Sequence, residues 1–399
     1  MSDGFDDAGA RRTARVLAVA QALGGANPAI IVSLGGLVGE SLAHDSGLAT
    51  LPVSLLQLGL ATGTVPASLV MRRLGRRGGY LIGAAIGMVA GSIAATAATI
   101  GSFWLFCLGT FVAGFYSSYV LSYRFAAADT ASPAFRARAI SWVMAGGIAG
   151  GIIGPQTVIW TRDLIPGSAF AGGFLGQAAL ALVSFFVLLS LRAPPPPPAA
   201  VAKVGRPLSV IARQPRFILA VAAGLASYGL MSFVMTAAPL AMVVECGHPV
   251  GAATLGIQWH IPAMYGPSFV TGRLIDRLGK VPVVLLGLSL TAAAALVGLS
   301  GTSIAHFWTA LVLLGIGWNF GFIGATALVT DCHRPEERAK TQACNDFLVF
   351  GSVAIASFSS GQLLSVGGWA TLNWLVLPVT ALVALALLAG RARGVFRPA

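Results

Sequence analysis

Asp331-Cys-His-Arg-Pro335-Glu-Glu-Arg338-Ala-Lys340 restates, about 200 residues later, the stretch Asp129-Thr-Ala-Ser-Pro133-Ala-Phe-Arg136-Ala-Arg138. Arg277-Leu-Gly279-Lys280 repeats Arg73-Leu-Gly75-Arg76 at nearly the same interval. Two separate short segments that agree in spacing are hard to obtain by accident. They imply that the second half of the chain is built like the first.

Long apolar runs lie between these segments. Of the 399 residues 56% are hydrophobic and 10% charged, and the mean hydropathy is +0.83. A soluble domain carries roughly 25% charged residues, so lipid is the solvent for most of this surface. Apolar runs long enough to cross a bilayer at 1.5 Å per residue fall at 15–41, 49–71, 79–100, 102–123, 139–160, 168–191, 217–243, 250–275, 281–300, 305–329, 341–364 and 369–390. The expected fold is therefore all-α and polytopic, with twelve membrane helices. The 50 glycines suit close helix approach in lipid. Cys107, Cys246, Cys332 and Cys344 are too scattered to form a disulfide framework. Met1 to Ala14 is polar and lacks a signal peptide's apolar core, so the first apolar run is expected to stay as a span.

Twelve spans put both termini on one side. With that side as cytoplasm, 24 of the 25 Lys and Arg residues fall inside, and Arg162 alone falls outside. So one-sided a distribution is expected to orient the chain with cytoplasmic N- and C-termini. It also accounts for the net charge of +12 without nucleic acid, which would need a clustered basic face. Pro194–Pro198, a stiff stretch that cannot form helix, divides the chain. The expected organisation is an N-terminal six-helix bundle at 1–192, a cytoplasmic linker at 193–216 and a C-terminal bundle at 217–399. The halves are then parallel repeats about an axis along the membrane normal.

These segments resemble the major facilitator superfamily, whose loop between the second and third helices has the form G-x-x-x-D-R-x-G-R-[RK]. The second half keeps it as Gly272-Arg-Leu-Ile-Asp276-Arg277-Leu-Gly279-Lys280. The first half has Ser68 for the glycine and Arg72 for the acid. The resemblance implies a hinge in which the small residue permits close packing and the charges latch the cytoplasmic side. Arg72, Arg73, Asp276 and Arg277 are the latch candidates. Asp346, at the start of the eleventh span, is either a partner of Arg72 or Arg73 or a solvated surface acid. Gly150-Gly-Ile-Ile-Gly154-Pro155 is part of a motif found in antiporters of this family, but Gln156 to Ile159 replace its usual closing glycines. A closely packed, kinked helix is expected there.

Ionisable residues inside spans usually mark a transport path, and here they are nearly missing. Met231 and Met235 share one face of the seventh span, and His260 and Met264 one face of the eighth. Counted from the outer ends, Met235 and His260 lie about 12 and 15 Å deep, Met231 and Met264 about 18 and 21 Å. Four donors can thus converge near the midplane, where major facilitator sites lie. Thioethers with one imidazole suit Cu(I); equally, methionine is ordinary core filler and a lone His can bond a carbonyl. Met242, Cys246 and His248 offer an accessory path at the outer end or a plain loop. Asn27 and Gln57, at matching depth in the first half, can line the facing wall or tie neighbouring helices.

MxxxM in the seventh helix with HxxxM in the eighth resembles the CcoA-type copper importers of the superfamily. That resemblance implies that Met231, Met235, His260 and Met264 are copper ligands. It further implies that the protein imports copper by alternating access for assembly of cbb3-type cytochrome c oxidase. Copper would be a transported substrate rather than a prosthetic group, passed on to a cytoplasmic copper acceptor protein, and a monomer would suffice. The alternative is uptake of an organic solute such as riboflavin, with Trp259, Trp318, Tyr116 and Tyr119 as stacking walls and the thioethers incidental. An enzyme is not expected, since no nucleophile–base pair or metalloprotease motif occurs. Reporter fusions at Pro196 and after the C-terminus should both report cytoplasm. A periplasmic signal from either would overturn the orientation.

Overall fold

The computed structural model describes residues 7–192 and 205–396; Pro194–Pro198 and the first part of the expected linker lie outside the described residues. Every regular element among the described residues is helical. In chain order these are α1 (Asp7–Gly24), α2 (Ala26–Leu42), α3 (Leu51–Ile100), α4 (Phe103–Leu121), α5 (Tyr123–Asp129), α6 (Pro133–Thr161) and α7 (Ala171–Leu189). There follow α8 (Leu208–Ala212), α9 (Pro215–Leu240), α10 (Val250–Tyr265), α11 (Ser268–Leu278), α12 (Lys280–Ser300), α13 (Ile304–Thr330) and α14 (Arg338–Ala392). The chain divides into two compact units, Met1–Pro198 with Ala253–Ile261, and Ala199–Ala252 with Pro262–Ala399.

Among the described residues nine helical stretches are long and apolar enough to cross a membrane, against the twelve spans expected. The difference has local causes. Expected spans 2 and 3 run together in α3, interrupted only at Gly75, and spans 11 and 12 run together in α14 across Gly368. The span expected at 250–275 is divided, because Pro267 supplies no N–H to continue the ladder. Neither piece alone is long enough to cross.

The sequence repeat has a shared backbone cause. Gly75 has φ 74° and ψ 170°, and Gly279 has φ 90° and ψ 162°, the same non-helical conformation in each unit. This region of backbone space is open essentially to glycine alone. It turns the chain so that the next residue, Arg76 or Lys280, reaches across to the acid that opens the other repeated segment. Arg76 bonds Asp129 at 2.5 Å, and Lys280 bonds Asp331 at 2.6 Å. The two short repeats therefore meet in space, once in each unit. Exposed pairs of this kind add little stability, but they show that both halves bend alike. Gly272, expected to permit close packing, has open space around the position of a Cβ.

Close approach occurs instead along α6. A Cβ on Gly150 would come 2.9 Å from the Ala22 carbonyl oxygen, and one on Gly154 would come 2.8 Å from that of Ala26. The glycine–proline stretch thus packs backbone to backbone against α1 and α2, as small residues do between membrane helices. In the second unit the segment before α9 is tied down by charge. The Glu337 carboxylate is fully buried and accepts from Nε (2.8 Å), Nη2 (2.7 Å) and the backbone N–H (2.7 Å) of Arg206, and from the Arg334 backbone N–H (2.9 Å). These donors, Arg206 above all, hold the Glu337 carboxyl far below the usual carboxylate range.

Gly279→Ala should strain the turn and lower stability by about 1–3 kcal/mol, whereas Gly272→Ala, set in open space, should not. Thermal inactivation of the detergent-purified protein reads the contrast. Equal behaviour of the two variants would remove the turn's dependence on glycine.

Candidate functional site

The middle of α13 reads Gly317-Trp-Asn-Phe-Gly321-Phe322, and here the aromatic rings of the second unit gather. Trp318 stacks on Phe322, one helical turn away, with centroids 5.4 Å apart and planes 20° apart. Tyr228, near the middle of α9, meets Trp318 edge to face at 5.3 Å, Phe322 at 5.0 Å and Phe350 of α14 at 5.8 Å. Tyr265, at the end of α10, meets Trp318 edge to face at 5.9 Å. Such pairs add about 0.5–1.5 kcal/mol each beyond burial. Both Trp318 and Tyr228 sit about halfway along their helices.

Trp318 is only 6% exposed, and its Nε1 is buried without a hydrogen-bond partner among the described residues. An unmet buried N–H costs about 1–3 kcal/mol. Phenylalanine would fill much of the same space without that cost.

Its neighbour Asn319 is fully buried and fully used. Its Nδ2 donates to the Met264 carbonyl (2.5 Å) and to Ser268 Oγ (2.7 Å), while its Oδ1 accepts from Thr271 Oγ1 (2.5 Å). Irregular backbone at membrane depth persists only where other groups satisfy it. Asn319 therefore splints the gap between α10 and α11 and fixes α13, with Trp318, against it.

The residues singled out by sequence are distributed differently. Met231, Met235, Met242 and Met264 are buried and belong to the second unit. His260 is fully buried within Ala253–Ile261, the segment that packs with the first unit. Cys246 is half-buried, and His248 donates from Nε2 to the Thr302 carbonyl at 2.7 Å beside Phe307. Asn27 is buried and donates to the Ala113 carbonyl (3.1 Å) and Ser117 Oγ (2.8 Å), tying α2 to α4. Gln57 is buried as well. Arg72, Arg73, Asp276, Arg277 and Asp346 are exposed, and Asp346 accepts from Asn345 at 3.1 Å. Among the proposed stacking aromatics, Tyr116 and Tyr119 are buried in the first unit's core, and Trp259 is 51% exposed. Only Trp318 belongs to the cluster. Tyr228, Tyr265, Phe322, Phe350 and Asn319 drew no attention in the sequence. The one local signal was the four-residue spacing of Trp318 and Phe322, together with an amide in the middle of a span.

A model of the Major Facilitator Superfamily matches residues 17–269 and 263–395. The chain belongs to this superfamily: it is a multi-pass membrane transporter, not an enzyme. It is 58% identical over 385 residues to the riboflavin transporter RfnT of Brucella anthropi, with 96% of each chain covered. It is 31% identical over 384 residues to YdeG of Bacillus subtilis, an uncharacterized transporter of the same type, covering 91% of this chain and 88% of that one. The crystal structure of the nucleoside transporter NupG has the same fold, with a TM-score of 0.75 at 14% identity over 94% of this chain and 98% of the other.

The similarity to RfnT overturns the copper reading. A relative this close along nearly the whole chain carries a riboflavin transporter's name, whereas the copper resemblance rested on four side chains. Copper as substrate, its supply to an oxidase and a cytoplasmic copper acceptor fall with it. Methionine spacing misled because a thioether that packs in a core and one that binds a soft metal look the same in sequence.

Asn319→Leu keeps bulk but leaves the Met264 carbonyl without its amide donor. It should destabilise the detergent-solubilised protein by about 1–3 kcal/mol. Thr326→Val, at an exposed position of the same helix, should be silent; an equal loss at both would remove the splint.

Proposed function

We propose that this protein takes up riboflavin, or a closely related flavin, across the bacterial inner membrane into the cytoplasm by alternating access. The observation that carries this reading is the 58% identity to RfnT along nearly the entire chain. The aromatic cluster around Trp318 supports it. A planar, uncharged heteroaromatic ring needs stacking walls at membrane depth, and the side chains gathered there are rings rather than charges.

The organisation proposed with it is twelve spans in two six-helix halves, 1–192 and 217–399, joined by the linker at 193–216, with both termini cytoplasmic and a monomer as the working unit. The exposed loop charges Arg72, Arg73, Asp276, Arg277 and Asp346 are assigned to the conformational cycle rather than to substrate. Met231, Met235 and Met264 are assigned to packing.

Radiolabelled riboflavin should accumulate in cells that make the protein and not in cells that lack it, while radioactive copper should accumulate equally in both. Met231→Leu and Met235→Leu nearly conserve volume, at a cost below about 1.5 kcal/mol, and should leave riboflavin uptake near wild type at equal protein level. Absence of riboflavin accumulation in producing cells would overturn this function.

A further inference from the structure

We infer that Trp318 is the residue that selects the flavin ring, donating its indole N–H to an acceptor on the ring's edge. The inference rests on the riboflavin reading and adds to it the group that reads the substrate.

The argument starts from the choice of side chain. At position 318 the surrounding rings require only an aromatic surface: Phe322 on one face, with Tyr228 and Tyr265 meeting the ring edge to face. Stacking does not explain why the ring carries an N–H. Hydrogen bonding within the protein does not explain it either, because Nε1 is buried with no partner among the described residues. The neighbouring amide cannot serve in its place. Both ends of Asn319 are engaged by Met264, Ser268 and Thr271. The result is a donor held rigidly within an aromatic wall, on a helix pinned at the next residue.

A flavin matches that arrangement chemically. One end of its fused ring is a dimethylated benzene that asks only for apolar contact. The other is a pyrimidine-dione whose carbonyl oxygens and unprotonated ring nitrogen accept hydrogen bonds. A site that donates to a substrate atom rejects analogues lacking the acceptor much more strongly than a purely apolar wall can. Trp318 is thus assigned as a specificity-determining residue that acts on binding rather than on the conformational cycle.

The test separates donor from shape in the full-length protein, reconstituted in liposomes, with radiolabelled riboflavin as the probe. Trp318→Phe keeps an aromatic ring and removes the donor. Replacing Trp318 by 3-benzothienylalanine keeps the bicyclic shape and also removes the donor, so it reads the N–H even if Trp318→Phe folds poorly. Both replacements should raise KM about 3- to 10-fold, the loss expected for one hydrogen bond, with Vmax unchanged. Wild-type KM for the benzothienyl protein would overturn the assignment, because shape alone would then suffice. Loss of Vmax without a change in KM would overturn it too, by placing the residue in the transport cycle. If the wild-type protein moves no riboflavin, the functional reading fails and takes this assignment with it; normal uptake at wild-type KM in both replacements sinks the assignment alone.

Discussion

Hydrocarbon offers no hydrogen bonds, so every backbone N–H and C=O in a membrane span must find its partner inside the protein. This requirement explains why every regular element among the described residues is helical, and why the departures from helix fall where they do. Gly75 and Gly279 turn the chain at charged segments between spans, where water satisfies the exposed groups. The gap between α10 and α11 lies next to the membrane-depth aromatic cluster, and there a side chain supplies what water cannot. Asn319 donates to the Met264 carbonyl and to Ser268, and accepts from Thr271. In the first unit the buried amide of Asn27 is bonded to the Ala113 carbonyl and to Ser117, and ties α2 to α4.

The same economy bears on function. A polar atom that has been spent on repair is not available to a ligand, which separates Asn319 from its neighbour Trp318. The aromatic rings around Trp318 come from α9, α10, α13 and α14 and pack on one another, and the Trp318 indole N–H has no partner among the described residues. Sulfur was the more conspicuous feature of the sequence. Met231, Met235, Met242 and Met264 are all buried, and a thioether is a side chain well suited to filling irregular space. Function in this superfamily resides in which side chains line a path, not in the fold, so the family resemblance alone could not have chosen between an ion and a flavin.

The membrane class, the internal repeat and the superfamily were legible in the sequence. Each is a local sum or a short pattern: hydropathy over some twenty residues, or a glycine followed by a basic residue. The repeat was even more informative than its spacing suggested, since its two segments are bonded to one another in both units. Tertiary structure alone decided which side chains meet. Tyr228, Tyr265, Trp318 and Phe350 lie far apart along the chain, and nothing in their local sequence sets the rotation of one helix against the next. That rotation also tied Asn319 to a broken helix. Hydropathy tells a helix to enter the membrane; only packing against its neighbours determines which of its faces they cover and which polar atoms are left to bind anything else.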